Sequence, residues 1–261
     1  MPTWIFLRGL TRESAHWGAF TPQFESAVPG ARVIPLDLPG NGRLHRVPSP
    51  TTVRGMVECC RAELAAQGVR PPFWLLAMSL GAMVATDWAQ LAPEELAGCV
   101  LINTSLQPFS PFYERLRPAN YLALLCCALP GNTPHTVEQT VLQLTSRRAQ
   151  IHRAAVADWV AIRRLRSVSA TNALRQLLAA ARYTAPTSVP TAASPARQLA
   201  TPRMLLLASQ NDGLVSSKCS QAIVRAWGVP LRLHPFAGHD LPLDDAQWVI
   251  NQVRAWMSEP G

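Results

Sequence analysis

Short, mainly apolar runs alternate along the chain with helix-like segments. The apolar runs cover residues 4–7, 32–38, 73–78, 98–104, 204–208 and 231–236. Strands that are apolar along most of their length are buried on both faces, and strands separated by helices usually pair in parallel. The pattern therefore predicts an α/β fold with a mostly parallel central sheet flanked by helices.

The alternation stops between residues 107 and 200. Helix-like patterns there follow one another directly, at about residues 119–129, 136–145, 149–165 and 170–183. A stretch rich in proline, serine, threonine and alanine, residues 184–195, then resembles a semi-rigid linker. We expect a core formed by residues 1–106 and 201–261, with residues 107–200 inserted as a helical cap. A chain of 261 residues is long enough for one such domain.

One small hydroxyl side chain interrupts the apolar stretch WLLAMSLGAMVA, residues 74–85. Ser79 directly follows a predicted strand and precedes a predicted helix. This is the setting of a nucleophile elbow, a sharp turn that needs small residues around the serine. Ala77 and Gly81 meet that need, although Ala77 stands where the Gly-x-Ser-x-Gly pattern has its first glycine. The alternative is a serine that merely packs at a tight turn.

A serine nucleophile needs a general base and an acid that orients the base. His239 follows the predicted strand 231–236, and Asp212 follows the predicted strand 204–208. The chain order serine, aspartate, histidine is the one that this type of elbow uses. Three further aspartates are alternative acids but lie too close to His239 in sequence to orient it naturally: Asp240, Asp244 and Asp245. Asn103, at another strand end, is not acidic and cannot serve as the orienting acid.

An oxyanion hole would complete this arrangement, with two N–H donors aimed at the developing negative charge. The N–H of Leu80, directly after Ser79, is one candidate. The first strand ends at Arg8 and Gly9, and the N–H of Leu10 beyond that turn is the other. The residues thus predict the catalytic residues Ser79, Asp212 and His239.

The stretches FLRGL, LDLPGNG, LLAMSLGAMVA, PRMLLLASQNDGLV and FAGHDLPL resemble, in the same order, those of α/β-hydrolase-fold serine hydrolases. The resemblance extends over essentially the whole chain. It implies two-step hydrolysis of a small to medium carboxylic ester through an acyl-enzyme, with no metal or organic cofactor. The family's catalytic residues correspond to Ser79, Asp212 and His239. Its oxyanion donors correspond to Leu10 and Leu80. The sequence departs from the family at Ala77 and at Arg8, where histidine is common, and Arg8 is hypothesised to bring a positive charge near the substrate.

The composition of the predicted cap indicates which substrates the protein could bind. Four apolar side chains are candidates to line an acyl pocket together with Arg8, or simply to pack the cap onto the core: Met78, Tyr121, Leu124 and Leu142. Six arginines between residues 147 and 166 make the cap basic. They are either solvated helix faces or a surface for an acidic carrier protein or a substrate carboxylate. A partial similarity to pimeloyl-carrier-protein methyl ester esterases agrees with the carrier-protein alternative.

Composition limits the other classes of function. The net charge of +8 is almost entirely arginine, which reflects either a GC-rich gene or a basic surface. We expect no nucleic-acid partner, since no binding motif is present. No signal-peptide pattern is present, and no apolar run approaches the about 20 residues that span a bilayer, so we expect a cytoplasmic protein without a membrane partner.

Two other functions stay open at this stage. A lyase or synthase of the same fold could use the same three residues on an acidic substrate, which Arg8 and the basic cap would suit. A non-catalytic binding protein is the remaining alternative, and the presence of all three predicted catalytic residues argues against it.

Overall fold

The computed structural model describes residues 1–128, 131–190 and 202–259. Its centre is a six-stranded parallel sheet with the strand order β2-β1-β3-β4-β5-β6. The strands are β1 (Thr3–Leu7), β2 (Arg32–Leu36), β3 (Phe73–Met78), β4 (Leu96–Ile102), β5 (Arg203–Ser209) and β6 (Leu231–His234). The predicted α/β architecture and all six predicted strands are confirmed, with ends that differ by a few residues.

Helices cover the sheet and connect its strands. They are α1 (Phe20–Ala27), α2 (Val53–Ala66), α3 (Leu80–Leu91), α4 (Phe112–Arg115), α5 (Tyr121–Ala128), α6 (Pro134–Thr145), α7 (Ala155–Leu165), α8 (Ala170–Arg182), α9 (Ser217–Trp227), α10 (Leu241–Asp244) and α11 (Ala246–Ser258). The side chain of Thr52 accepts a hydrogen bond from the N–H of Gly55 and caps α2, as expected of a threonine that precedes an apolar periodic segment.

The hydrophobic core lies on both faces of the sheet, because successive strand residues point to opposite sides. In β1, Ile5 and Leu7 belong to one buried cluster, and Trp4 and Phe6 belong to the other. The two-sided burial explains why the inner strands β1, β3, β4 and β5 are apolar along nearly their whole length. It also fixes the strand register, since a slip of one residue would exchange the two faces.

Helices α4 to α8 lie between β4 and β5 in the chain, and we call residues 107–190 the inserted segment. It has a small apolar cluster of its own, formed by Leu142, Val156, Trp159 and Val160. The helix predicted at 149–165 begins later, at Ala155, after a 3-10 turn over Ile151–Ala154. The helical backbone is interrupted there at His152, whose φ is −89° and ψ is 17°. The division into core and cap stays a prediction, and part of its linker, residues 191–195, lies outside the described residues.

Two further observations concern the part of the chain described here. None of its helices is long and apolar enough to cross a membrane. The six cysteines are all free thiols, and Cys60, Cys99 and Cys219 are buried. Burial raises the pKa of Cys60 to about 12, so this thiol stays protonated at neutral pH.

Candidate active site

Ser79 forms a sharp turn between β3 and α3 with an unusual backbone conformation. Its φ is 55° and its ψ is −118°, a combination that a residue with a side chain adopts only under strain. The turn is held from two sides: the N–H of Ser79 donates to the carbonyl of Ile102 at 3.0 Å, and Thr104 Oγ1 donates to the carbonyl of Ser79 at 3.1 Å. The side chain is partly exposed. A strained residue held by its neighbours and open to solvent is typical of a functional position.

Two glycines allow this turn to form next to β1. A methyl group on Gly81 would lie 2.5 Å from the carbonyl oxygen of Leu7, so only glycine lets α3 approach β1 this closely. A methyl group on Gly9 would lie 3.0 Å from Cβ of Ser79, which places the turn after β1 directly against the serine. Ala77 is buried in β3 and paired with Leu7, and its methyl group is accommodated there.

Asp212 and His239 meet at the ends of β5 and β6. Nδ1 of His239 is 2.7 Å from Oδ2 of Asp212, and both side chains are buried. The other carboxylate oxygen of Asp212 accepts the N–H groups of Leu214 at 2.8 Å and Val215 at 3.0 Å. With all these donors directed at it, the carboxylate is fixed in one orientation, and Nδ1 of the imidazole is the protonated nitrogen that faces it.

The surroundings of His239 act on its pKa in both directions. Burial disfavours the charged imidazolium, but the nearby Asp212 carboxylate, its hydrogen bond and the charge of Asp240 favour it more strongly, while Arg8 opposes it. The pKa of His239 is raised above its ordinary value as a result. The ring is therefore a stronger base than a free histidine, which suits a group that accepts a proton.

Asn103 connects the serine turn to the histidine loop, and the sequence analysis excludes it as the orienting acid and predicts no other role for it. It follows β4 with a positive φ of 46°. Its Nδ2 donates to the carbonyl of His239 at 2.7 Å and its Oδ1 accepts the N–H of Ser209 at 2.8 Å. Residues 102 to 104 thus contact the backbone of Ser79 on one side and the backbone of His239 on the other. A buried asparagine at a strand end, next to two predicted catalytic loops, is the signal that could have revealed it.

The three alternative acids have other partners. Asp240 forms a two-pronged ion pair with Arg8, with distances of 3.1 and 2.5 Å. The Asp244 carboxylate accepts from Gly238 N at 2.7 Å and from the hydroxyl of Ser146. Asp245 caps α11 through the N–H of Trp248 and contacts His234. The acid in hydrogen-bonding contact with His239 is Asp212.

Arg8 stands where histidine is common in the family, and it is hypothesised to bring a positive charge near the substrate. Its side chain is 3% exposed and its guanidinium lies 4.7 Å from the ring centre of Trp17. The Arg8 charge lowers the pKa of Asp240 although burial alone would raise it. The cation thus has a carboxylate partner already, and contact between Arg8 and a substrate stays a prediction.

The two predicted oxyanion donors belong to the start of α3 and to the turn after β1, which meet at Ser79. Leu80 is the first residue of α3, where the backbone N–H has no acceptor inside the helix. Leu10 is one residue beyond Gly9, in the turn that touches Ser79. A helix N-terminus carries positive potential, which would favour an anion at this place. Their use as oxyanion donors stays a prediction.

The predicted pocket residues occupy different environments. Met78 ends β3 and is buried, directly before Ser79. Tyr121 and Leu124 are on α5, the first exposed and the second partly buried. Leu142 lies within the apolar cluster of the inserted segment, which agrees with a packing role for that residue. Their contact with a substrate stays a prediction.

Comparison with known proteins finds a family and relatives that resemble this chain. The model of the family described as "Alpha/beta hydrolase family" matches residues 4–252. A pimeloyl-[acyl-carrier protein] methyl ester esterase of Xylella fastidiosa is 27% identical over 221 residues, which are 79% of this chain and 76% of that protein.

Solved structures share the fold. A thermophilic esterase from Thermogutta terrifontis superposes with a TM-score of 0.74 at 20% identity, covering 98% of this chain and 89% of that one. The esterase RhEst1 from Rhodococcus sp. ECU1013 gives a TM-score of 0.74 at 18% identity, covering 100% of this chain and 91% of that one. At these identities the similarity supports the fold alone.

Proposed function

The chain belongs to the α/β-hydrolase family, and on that premise we propose that it is a serine carboxylic-ester hydrolase that acts through an acyl-enzyme. The observation that carries the proposal is the contact of 2.7 Å between His239 Nδ1 and Asp212 Oδ2. In the same site, Ile102 and Thr104 at the end of β4 hold the strained turn of Ser79. The substrate that we propose is an ester with a small to medium acyl group.

In this proposal each side chain has one task. Because the Nδ1 proton of His239 faces Asp212, Nε2 is free to take the hydroxyl proton of Ser79 as its oxygen attacks the ester carbonyl. Asp212 then stabilises the imidazolium that forms. The N–H groups of Leu80 and Leu10 would stabilise the oxyanion. His239 gives its proton to the leaving alcohol, and water hydrolyses the acyl-enzyme by the same route.

A set of p-nitrophenyl esters and a fluorophosphonate probe test this proposal. We expect the wild-type protein to hydrolyse short esters and to be labelled at Ser79. Ser79→Ala should abolish labelling, and Ser79→Ala and Asp212→Asn should each lower kcat by about 10⁴-fold or more. The control is Ser105→Ala, at a buried serine that follows β4, and this variant should keep both properties. Folded wild-type protein that neither labels nor turns over any ester would exclude the catalytic function.

A narrower substrate is an ester on an acidic carrier protein, which the relative from Xylella fastidiosa favours. Two of the six arginines between residues 147 and 166 form ion pairs, Arg163 with Glu138 and Arg166 with Glu13. The others are exposed: Arg147, Arg148, Arg153 and Arg164. These four charges form the surface that an acidic carrier would contact.

Charge reversal separates the carrier ester from a free ester. The double variant Arg153→Glu and Arg164→Glu should lower kcat/KM for a carrier-linked methyl ester and leave that for a free methyl ester unchanged. The matched control reverses two exposed arginines of the core helices α9 and α11, Arg225 and Arg254. Equal effects of both double variants would refute a carrier site on the inserted segment.

The lyase or synthase alternative has lost part of its support. It relied on Arg8 as a cation for an acidic substrate, and that guanidinium is bound by Asp240. Labelling of Ser79 without turnover of any ester, whatever its chain length, would favour this alternative over the esterase.

A further inference from the structure

The helix α8 of the inserted segment directs two polar side chains inward and apolar ones outward. Asn172 and Gln176 are buried, whereas Leu174 and Leu177 are 65% and 44% exposed. In an ordinary surface helix such amides would face outward and such leucines inward. Burying an amide is unfavourable unless it is hydrogen-bonded, so the contacts of these two amides define what the inner face of α8 does.

The Gln176 amide forms hydrogen bonds to the turn that follows β1 and to the segment that supports this turn. Its Oε1 accepts the N–H of Thr11 at 2.9 Å. Its Nε2 donates to the carbonyl of Pro39 at 3.2 Å and to Oδ1 of Asn41 at 2.8 Å. Asn41 completes the network, since its Nδ2 donates to the carbonyl of Arg12 at 2.8 Å.

The turn held in this way contains the proposed oxyanion donor. Thr11 has a φ of 56°, which is strained for a β-branched residue and needs support from its surroundings. The N–H of Arg12 donates to the carbonyl of Gly9 at 3.2 Å and closes the turn. Leu10 lies between these anchored residues, so the direction of its N–H follows from the positions of Gly9 and Thr11.

We propose that Gln176 is a positioning residue for the oxyanion hole: from the inserted segment, and together with Asn41, it holds the turn of residues 9–12 so that the Leu10 N–H points at the reacting carbonyl. The inference rests on the proposed esterase function and adds a residue to it. It also gives the LDLPGNG segment, residues 36–42, a role, since Pro39 and Asn41 belong to that segment and accept the Gln176 amide.

Asn172 provides a matched control on the same helix. Its amide makes the same number and kind of bonds: it accepts the N–H of Ser49 at 2.9 Å and donates to the carbonyls of His45 and Val47, each at 3.2 Å. These partners lie in a loop without proposed catalytic groups. Gln176→Met and Asn172→Leu therefore remove comparable buried hydrogen bonds, and only the first removes a hydrogen bond to the turn of residues 9–12.

The test compares both variants in thermal unfolding, steady-state kinetics with a p-nitrophenyl ester and the rate of fluorophosphonate labelling. We expect similar losses of Tm. Gln176→Met should lower kcat about 10- to 100-fold with little change in KM, since small displacements of a catalytic group cost factors of this size. Its labelling rate should fall in proportion, because phosphonylation uses the same oxyanion hole. Asn172→Leu should keep kcat within about threefold.

Several outcomes would overturn the inference. A folded Gln176→Met with kcat within about threefold of wild type would do so, as would equal losses of kcat in both variants. If Gln176→Met does not fold, Gln176→Asn, whose shorter amide does not reach Thr11, should reproduce the loss of kcat. If neither folds while Asn172→Leu does, Gln176 has only a structural role. Failure of the esterase proposal is seen separately, as inactivity of the wild-type protein.

Discussion

Arg8 and Asp240 form a buried two-pronged ion pair that joins the turn after β1 to the residue after His239. The contact pairs Nη1 with Oδ1 at 3.1 Å and Nη2 with Oδ2 at 2.5 Å. It therefore lies between the turn that carries the proposed oxyanion donor Leu10 and the loop that carries the proposed base. Both charges of the pair also act on the pKa of His239, Asp240 raising it and Arg8 lowering it.

Asp240→Asn should move the acid limb of the pH profile to lower pH. His239 must be neutral to accept a proton, so kcat/KM falls as the pH drops through its pKa. Loss of the Asp240 charge removes one cause of the raised pKa and leaves the opposing charge of Arg8 in place. The pKa of His239 should fall, and activity should persist to lower pH. The measurement is the pH dependence of kcat/KM for a neutral ester.

The double variant Arg8→Met with Asp240→Asn is the control. It removes both charges, so its acid limb should return toward that of the wild type. The single variant leaves a buried guanidinium without a partner and should lose about 3–5 kcal/mol of unfolding free energy. An acid limb that stays in place in the single variant would show that Asp240 does not influence the base.

The fold and the proposed catalytic residues could be predicted because they depend on local patterns. Ser79, Asp212 and His239 each follow an apolar run, and parallel strands bring such ends to one edge of the sheet. The chemistry of the three side chains then restricts their roles.

The supporting contacts could not be predicted, because they join distant parts of the chain. Gln176 and Thr11 are 165 positions apart, and the exposed leucines of α8 contradict the rule that would place its apolar face inward. The sequence shows the charge of Arg8 but no partner for it, and it predicts Asp240 only as an alternative orienting acid. Which aspartate meets which cation depends on how the loops pack, and no local pattern contains that information.

Ser79→Gly should be more stable than Ser79→Ala by about 1 kcal/mol. A non-glycine residue at φ 55° and ψ −118° carries strain of about 1–3 kcal/mol, which glycine relieves at a smaller entropic cost of about 0.5–1 kcal/mol. Both variants lack the nucleophile, so the difference reports the backbone alone. Urea unfolding measures it. At Ser220, inside α9, the order should reverse, since alanine is about 1 kcal/mol better than glycine in a helix. The same order at both sites would contradict strain at Ser79.

Gly81→Ala should destabilise the protein, although alanine normally strengthens a helix. The added methyl group would lie 2.5 Å from the carbonyl oxygen of Leu7 and 2.7 Å from that of Arg8, and backbone atoms cannot move aside cheaply. We expect a loss of about 1–3 kcal/mol and a lower kcat, because α3 and the Ser79 turn would be displaced from β1. Ala77→Gly, which restores the residue usual in the family, should cost only about 1 kcal/mol. A more stable Gly81→Ala protein in urea unfolding would show that the helix and strand are not in close contact.

Glu138→Gln should loosen the contact between the inserted segment and the core. Glu138 is 1% exposed and accepts Arg12 at 2.6 Å and Arg163 at 2.5 Å. Burial lowers the pKa of Arg12, and the Glu138 charge counteracts it. A neutral glutamine would leave the two guanidinium groups facing each other, at a cost of about 3–5 kcal/mol in urea unfolding. The control is Glu259→Gln, which removes an exposed pair with Arg232 and should cost less than about 1 kcal/mol. If the two substitutions lower the free energy of unfolding equally, the Glu138 carboxylate does not hold Arg12 and Arg163 together.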